Sequence, residues 1–317
     1  MASCNAVTIR QRPEKGILGG PLTCRFSVEY KGIIANIKLE QRIERITKIT
    51  PVEDTDLGWY WSLFNILDML FFLFDGEFYN IQKINIKGFH GDGRSLADEK
   101  ANFVDNRVSY YKSADFVKGS HSSFLNPLNH LNGIIFNKWV NIVEELDISV
   151  NIAFYSLSEM QLPIDGKIAL LIEAFEPLAD LAKKPLDFSV EKGKRGNSTL
   201  AAIIETFISC YGGEIFNVER TNDGYKEFVK VAKDSRNRVM HAKSRQNRVY
   251  FSGEESVLYA IKFSYLYRRV LLEILGIDYS LYKTKLQDSV ARWNSWEGVS
   301  CRFLTEKLKA GDADGKQ

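Results

Sequence analysis

Apolar positions along this chain follow two different periods, one in each half. In the first half they come in short, partly alternating runs rich in β-branched residues: Leu22 to Tyr30 (LTCRFSVEY), Ile33 to Leu39 and Ile43 to Ile49. A period of two sends successive side chains to opposite faces, as in a strand packed on one side. Gly19-Gly20-Pro21, Lys31-Gly32 and Thr50-Pro51 punctuate the runs as turns. Two more strands are predicted, over Phe78 to Lys87 and over Phe103 to Tyr111, with a Gly-rich loop, Gly88 to Gly93, between them.

One segment interrupts the alternation. Trp59 to Phe74 reads WYWSLFNILDMLFFLF, and its few polar residues, Ser62, Asn65 and Asp68, recur every three positions. That spacing lays a narrow polar stripe along an otherwise apolar helix. The run is short for a bilayer and carries an Asp near its middle, which would be costly there. A deeply packed helix lying against a sheet is therefore expected, not a membrane span.

Near Asn126-Pro127 the pattern changes. From Gly133 the apolar spacing is helical, with Ile135, Trp139, Ile142, Val143 and Leu146 on one face. Further helices are predicted at about 148–158, 164–183, 198–211, 223–243 and 254–275. Ser252-Gly253-Glu254-Glu255 has the capping-box pattern, and Gly276 sits where a C-terminal cap belongs. The Lys-, Arg- and Gly-rich stretch Pro185 to Asn197 predicts a mobile loop, and 310–317 (AGDADGKQ) a disordered tail. The fold class expected is α+β: a β-rich, sandwich-like N-terminal domain with a buried helix (1–130), then an all-α helical bundle (131–309).

Composition agrees with two folded domains. The chain has 317 residues, 45% hydrophobic and 26% charged, enough for two cores. The net charge of +2, from 42 basic and 40 acidic residues, excludes a broadly polycationic nucleic-acid binder but not a local basic site. Cys4, Cys24, Cys210 and Cys301 are too scattered for a zinc knuckle or redox pair and read as buried thiols in a reducing compartment. The first twelve residues are polar and lack a signal peptide's apolar segment. A cytoplasmic protein is expected.

The densest basic patch is Asp223 to Lys243, DGYKEFVKVAKDSRNRVMHAK, followed by Arg245 and Arg248. Phe228, Val231, Ala232 and Val239 supply an apolar side. Asn237 and His241 are four apart and project together, with Arg236 their neighbour around the helix. An arginine, an amide and an imidazole thus meet at one helix end.

An Arg-Asn pair followed after three residues by His, late in a helix of an all-α bundle, resembles the ribonuclease signature of the HEPN superfamily. The whole chain is similar to ApeA-like HEPN proteins of bacterial anti-phage defence, which join a mostly-β region to a C-terminal HEPN bundle. Trp139 in NKWVNIVEEL resembles their tryptophan helix, and Glu176 in LIEAFEPLADL their first-helix acidic residue. The resemblance covers roughly residues 133–276; for 1–130 it rests on architecture alone.

It implies metal-independent RNA cleavage by attack of the ribose 2′-OH on the adjacent phosphate, with no cofactor. His241 would be the general base or acid, a role open to imidazole near neutrality. Arg236 would stabilise charge on the phosphorane. Asn237 would orient His241 or bind a phosphate oxygen, and Glu176 would hold Arg236 or Asn237 in place. Because one chain supplies one such histidine, a symmetric homodimer with a composite site is implied. The partners expected are RNA and a phage-derived trigger sensed by the β-rich region.

A plainer reading stays open for each residue. Basic groups in a helix's last turn complement its dipole, which alone would explain Arg238, His241 and Lys243. Arg238, Lys243, Arg245 and Arg248 otherwise read as RNA-backbone contacts, and Glu176 as an ordinary acid of an amphipathic helix. A non-catalytic dimerisation or RNA-binding module is the alternative function. Gly88 to Gly93 reads as a tight turn before a ligand loop, Gly193 to Thr199 has P-loop letters in the wrong order, and His121 and His130 lack metal-ligand spacing.

Overall fold

The computed structural model describes residues 3–12, 22–41, 44–90, 96, 123–158, 162–191, 198–221, 224–241, 249–294 and 303. The chain forms two compact units, Met1–Glu145 with Ser158–Met160, and Leu146–Leu157 with Gln161–Gln317. The α+β class and the order of its regions are as expected.

In the first unit, strands β1 (Ser3–Cys4), β2 (Ala6–Arg12), β3 (Leu22–Tyr30), β4 (Ile33–Gln41), β5 (Arg45–Pro51), β6 (Thr55–Asp56) and β7 (Asn80–Lys87) flank helix α1 (Leu57–Asp75). A five-stranded sheet runs β3-β4-β5-β2-β7, all antiparallel, and β1 pairs separately with β6. Alternation holds where the sequence predicted it. Val7, Ile9, Ala35, Ile37, Leu39 and Ile49 are buried on one face. The strand predicted at 103–111 and the tail at 310–317 lie outside the described residues.

α1 forms the layer against the sheet's apolar face. Asp56 caps its start by accepting from Trp59 N at 3.1 Å, and Gly76 ends it in the left-handed region (φ 74°). The polar stripe faces inward at one point: Asp68 is buried and accepts from Gln11 Nε2 at 2.8 Å. Arg45 on β5 meets Asp75 at 2.6 Å, both buried, with its guanidinium 4.4 Å from the Phe71 ring. α1 is long and apolar enough to cross a membrane, yet 78% of its most apolar window is buried inside the fold. Helix α2 (Gly133–Leu146), read from sequence as opening the helical half, counts with this unit up to Glu145. The Trp139 indole donates to Ile66 O of α1 at 2.9 Å, and Phe136 meets Phe26 of β3.

The second unit contains α3 (Ile148–Ser156), α4 (Ile164–Glu173), α5 (Phe175–Ala182), α6 (Leu200–Tyr211), α7 (Asn217–Arg220), α8 (Tyr225–Met240), α9 (Glu254–Leu275) and α10 (Lys283–Asn294). α9 is the central helix, buried almost all round. Gly276 stops it as expected, in the left-handed region (φ 82°), while at its start half of the expected capping box forms: Glu255 accepts from Ser252 N at 3.1 Å, with Gly253 in the cap position. Phe175 on α5 touches Phe207, Phe263 and Tyr267 edge-on, tying α6 and α9 together. Lys262 of α9 is paired in the interior with Glu219 at 2.7 Å.

The single helix expected at 164–183 is broken at Ala174. Pro177 explains the break: it has no N–H for the Glu173 carbonyl, and its ring crowds that carbonyl. The break sets Glu173 at the end of α4 and Glu176 in the first turn of α5.

Candidate active site

α8 carries the Arg-Asn-x3-His sequence and lies along α4. Phe228, Val229, Val231 and Ala232 anchor it in the core, with Phe228 among Phe216, Phe251, Tyr259 and Phe303. Farther along, the buried Ser235 hydroxyl accepts from Phe251 N at 2.9 Å, which pins the chain entering α9 against α8. Val239, expected on the apolar side, is 40% exposed, and Met240 beside it 42%. In the last turn of α8, Val239, Met240 and His241 are exposed, whereas Asn237 and Arg238 are half-buried.

Arg236 sits at the margin between core and surface, one turn beyond Ala232. Its Nε donates to Glu173 Oε2, its Nη1 donates to Asn237 Oδ1 at 2.8 Å, and Nη2 lies 3.9 Å from Glu176 Oε2. The guanidinium side chain is only 15% exposed. Its hydrogen bond to Glu173 raises its pKa further, so its charge is permanent. Two carboxylates therefore converge on one cation at the helix break. Glu176 carries the cost: burial first, then repulsion from Glu173, pushes its carboxyl above the usual range, against the pull of Arg236.

Glu173 was not singled out from the sequence. The reading that gave Glu176 the task of holding Arg236 or Asn237 is refined by the geometry: Glu173 makes the direct contact, and Glu176 stands at the outer limit of an ion pair. The available signal was the Glu173-x-x-Glu176 spacing together with Pro177.

Asn237 presents its carbonyl oxygen to Arg236, which leaves its NH2 group free to donate elsewhere. His241 ends the helix, its backbone N–H donating to Asn237 O at 3.1 Å. Its side chain is exposed and makes no hydrogen bond among the described residues. The structure thus brings Arg236, Asn237, Glu173 and Glu176 into one network, with His241 one turn past Asn237.

The predicted RNA contacts divide. Arg238 lies with its guanidinium 5.1 Å from the ring of the buried Tyr250, a cation–π pair that holds it against the fold. Lys243, Arg245 and Arg248 lie outside the described residues.

The other sequence candidates are accounted for locally. His90 exchanges backbone hydrogen bonds with Ser3, and Gly88 turns the chain with φ 61°. His130 stacks on Phe74, and burial lowers its pKa. Thr199 caps α6 by accepting from Ala202 N at 3.2 Å. His121, Gly91–Gly93 and 193–197 lie outside the described residues. Cys4 is buried as expected, and burial raises its thiol pKa, whereas Cys210 is exposed because it faces outward near the end of α6. Among the described residues, no group of three or more His, Cys, Asp or Glu side chains could hold a metal ion.

Comparison of the chain with protein-family models, with curated proteins and with solved structures gives no match in any of the three.

Proposed function

We propose that this protein is a metal-independent endoribonuclease of HEPN type, a cytoplasmic anti-phage or abortive-infection toxin that cuts tRNA or other cellular RNA. The observation that carries the reading is Arg236, held in a fixed pose by Glu173 and Asn237, with an exposed His241 one turn past Asn237. A guanidinium oriented in advance is suited to stabilise charge gathering on a phosphorus centre. An exposed imidazole is free to approach a ribose.

The step is a transesterification. One His241 takes the proton of the 2′-OH, the 2′ oxygen attacks phosphorus, and the bond from phosphorus to the 5′ oxygen breaks. A second imidazole returns a proton to that leaving oxygen. The products are a 2′,3′-cyclic phosphate and a free 5′-hydroxyl. Each chain offers one His241, so the acid and the base come from two copies in a homodimer. The exposed Val239 and Met240 beside His241 offer apolar surface for a second copy to cover. The β-rich unit would sense a phage-derived trigger.

Purified protein should cut RNA with chelator present, leave cyclic phosphate ends and spare all-deoxy substrate, which lacks the nucleophile. Arg236→Ala and His241→Ala should abolish cutting and remove toxicity on induction. Wild-type protein that cuts no RNA, with or without candidate triggers, would defeat the reading.

One observation favours a non-catalytic module instead: the guanidinium of Arg236 is already met by two carboxylates and an amide within its own chain. On that reading it anchors α8 to α4, and His241→Ala shifts RNA affinity only slightly.

A further inference from the structure

The register of the five-stranded sheet lines up cations on the face opposite the apolar core. Arg25 of β3 stands across from Lys38 of β4, and Lys38 across from Lys48 of β5. In the row beside them stand Ser27, Asn36 and Thr50. These six side chains line an open cavity of about 600 Å³. On the other side of the cationic row, Arg10 of β2 faces Lys83 of β7, in a row that also holds Ile46 of β5 and Glu40 of β4.

Adjacent strands are about 4.8 Å apart, and like charges placed directly opposite each other destabilise a ladder. Three cations in one row are therefore a cost, which the fold relieves at Lys38 alone among the described residues. Lys38 has a carboxylate, Glu40 at 2.5 Å, and Arg10 has Glu44 at 3.6 Å. Arg25 and Lys48 are exposed and meet no carboxylate among the described residues. The neighbouring row adds donors without further charge. Ser27 Oγ donates to Asn36 Oδ1 at 2.8 Å, which leaves the Asn36 NH2 group available.

We infer that this face of the sheet is a second binding site, for the phosphodiester backbone of a nucleic-acid strand. Charge complementarity selects the occupant: ammonium, guanidinium, hydroxyl and amide donors suit phosphate oxygens. From β3 to β7 the face spans four strand spacings, about 19 Å, which suits an extended polyanion better than a single phosphate. An acidic peptide, which basic clusters also recognise, is the competing occupant that the test below separates. The outward positions of β3, β4 and β5 carry no aromatic ring. Bases therefore have no ring to stack on at these positions, and the face takes the backbone without regard to sequence. This goes beyond the ribonuclease reading and does not depend on it, because the site is built on the sheet alone.

The test uses full-length His241→Ala protein, so that binding is read apart from cutting. Fluorescence anisotropy with a labelled mixed-sequence 20-nucleotide RNA is followed from 50 to 200 mM salt. Arg25→Gln/Lys48→Gln should weaken binding about 10-fold and reduce the slope of log affinity against log salt by about 1.4, or 0.7 for each lost contact to a single strand. Lys283→Gln/Lys285→Gln, which removes the same charge from exposed positions at the start of α10, should leave both unchanged. If the double variant melts early, the single variants Arg25→Gln and Lys48→Gln carry the test, each reducing the slope by about 0.7. Unchanged affinity and slope in these variants, no binding by the parent protein, or equal displacement by poly-glutamate would overturn the inference. Persistent binding by a wild-type protein that never cuts would remove the ribonuclease reading alone.

Discussion

Arg236 near the end of α8 donates its Nε–H to Glu173 at the end of α4, a contact spanning 63 positions of sequence. It joins the helix that carries the candidate chemistry to the helix against which it rests. The pair is mostly shielded, 15% and 25% exposed, so it is screened less than a surface ion pair.

Glu173→Gln should therefore lower stability by about 1.5–3 kcal/mol, the range for a hydrogen bond to a charged group. Glu176→Gln should change it by less than about 0.5 kcal/mol, as for exposed pairs. Urea unfolding of both variants measures the difference, and equal losses would contradict the hierarchy of the two contacts.

Glu176 also sets a pH dependence. Its carboxyl is held above the ordinary value, chiefly by burial and then by Glu173, so the folded state binds this proton more tightly than the unfolded state. Stability from this group is full at low pH and falls as pH rises through its pKa. Glu176→Gln should melt at or slightly above wild type at pH 7, with the gap closing by about pH 4. A gap that widens on acidification would reverse the sign.

His241 is exposed and, among the described residues, tied to the helix through its backbone alone. His241→Ala should leave stability within about 0.5 kcal/mol of wild type while ribonuclease activity disappears. Thermal melting and cleavage measured on one preparation separate the two effects. A large loss of stability would mean that the imidazole has a structural partner.

In the first unit, Arg45 and Asp75 are paired at 2.6 Å and almost wholly buried. Asp75→Ala should cost about 3–5 kcal/mol, because it strands a buried guanidinium. Arg45→Met/Asp75→Leu, which removes both charges and keeps apolar volume, should recover most of that loss. Denaturant midpoints for the single and double variants decide it. A double variant no better than Asp75→Ala would show that the pair has a role beyond mutual neutralisation.

Much of this was legible in local sequence. Alternation in LTCRFSVEY and its neighbours marked the strands, and Gly276 marked the end of α9. Arg236, Asn237 and His241 lie within six residues, so the helix period alone brings them to one helix end. Pro177 is a local signal of another kind: it splits the helix predicted at 164–183 in two, with a carboxylate on each side of the break.

Local sequence set the direction of each side chain about its own helix or strand, because the backbone period and the capping residues act over a few positions. Tertiary structure alone decided which of those directions meet. It turned Asp68 inward to Gln11, bound Trp139 to α1, and chose Glu173 over Glu176 as the close partner of Arg236. Such pairings depend on how whole surfaces fit, with each contact made only after distant segments have closed upon one another.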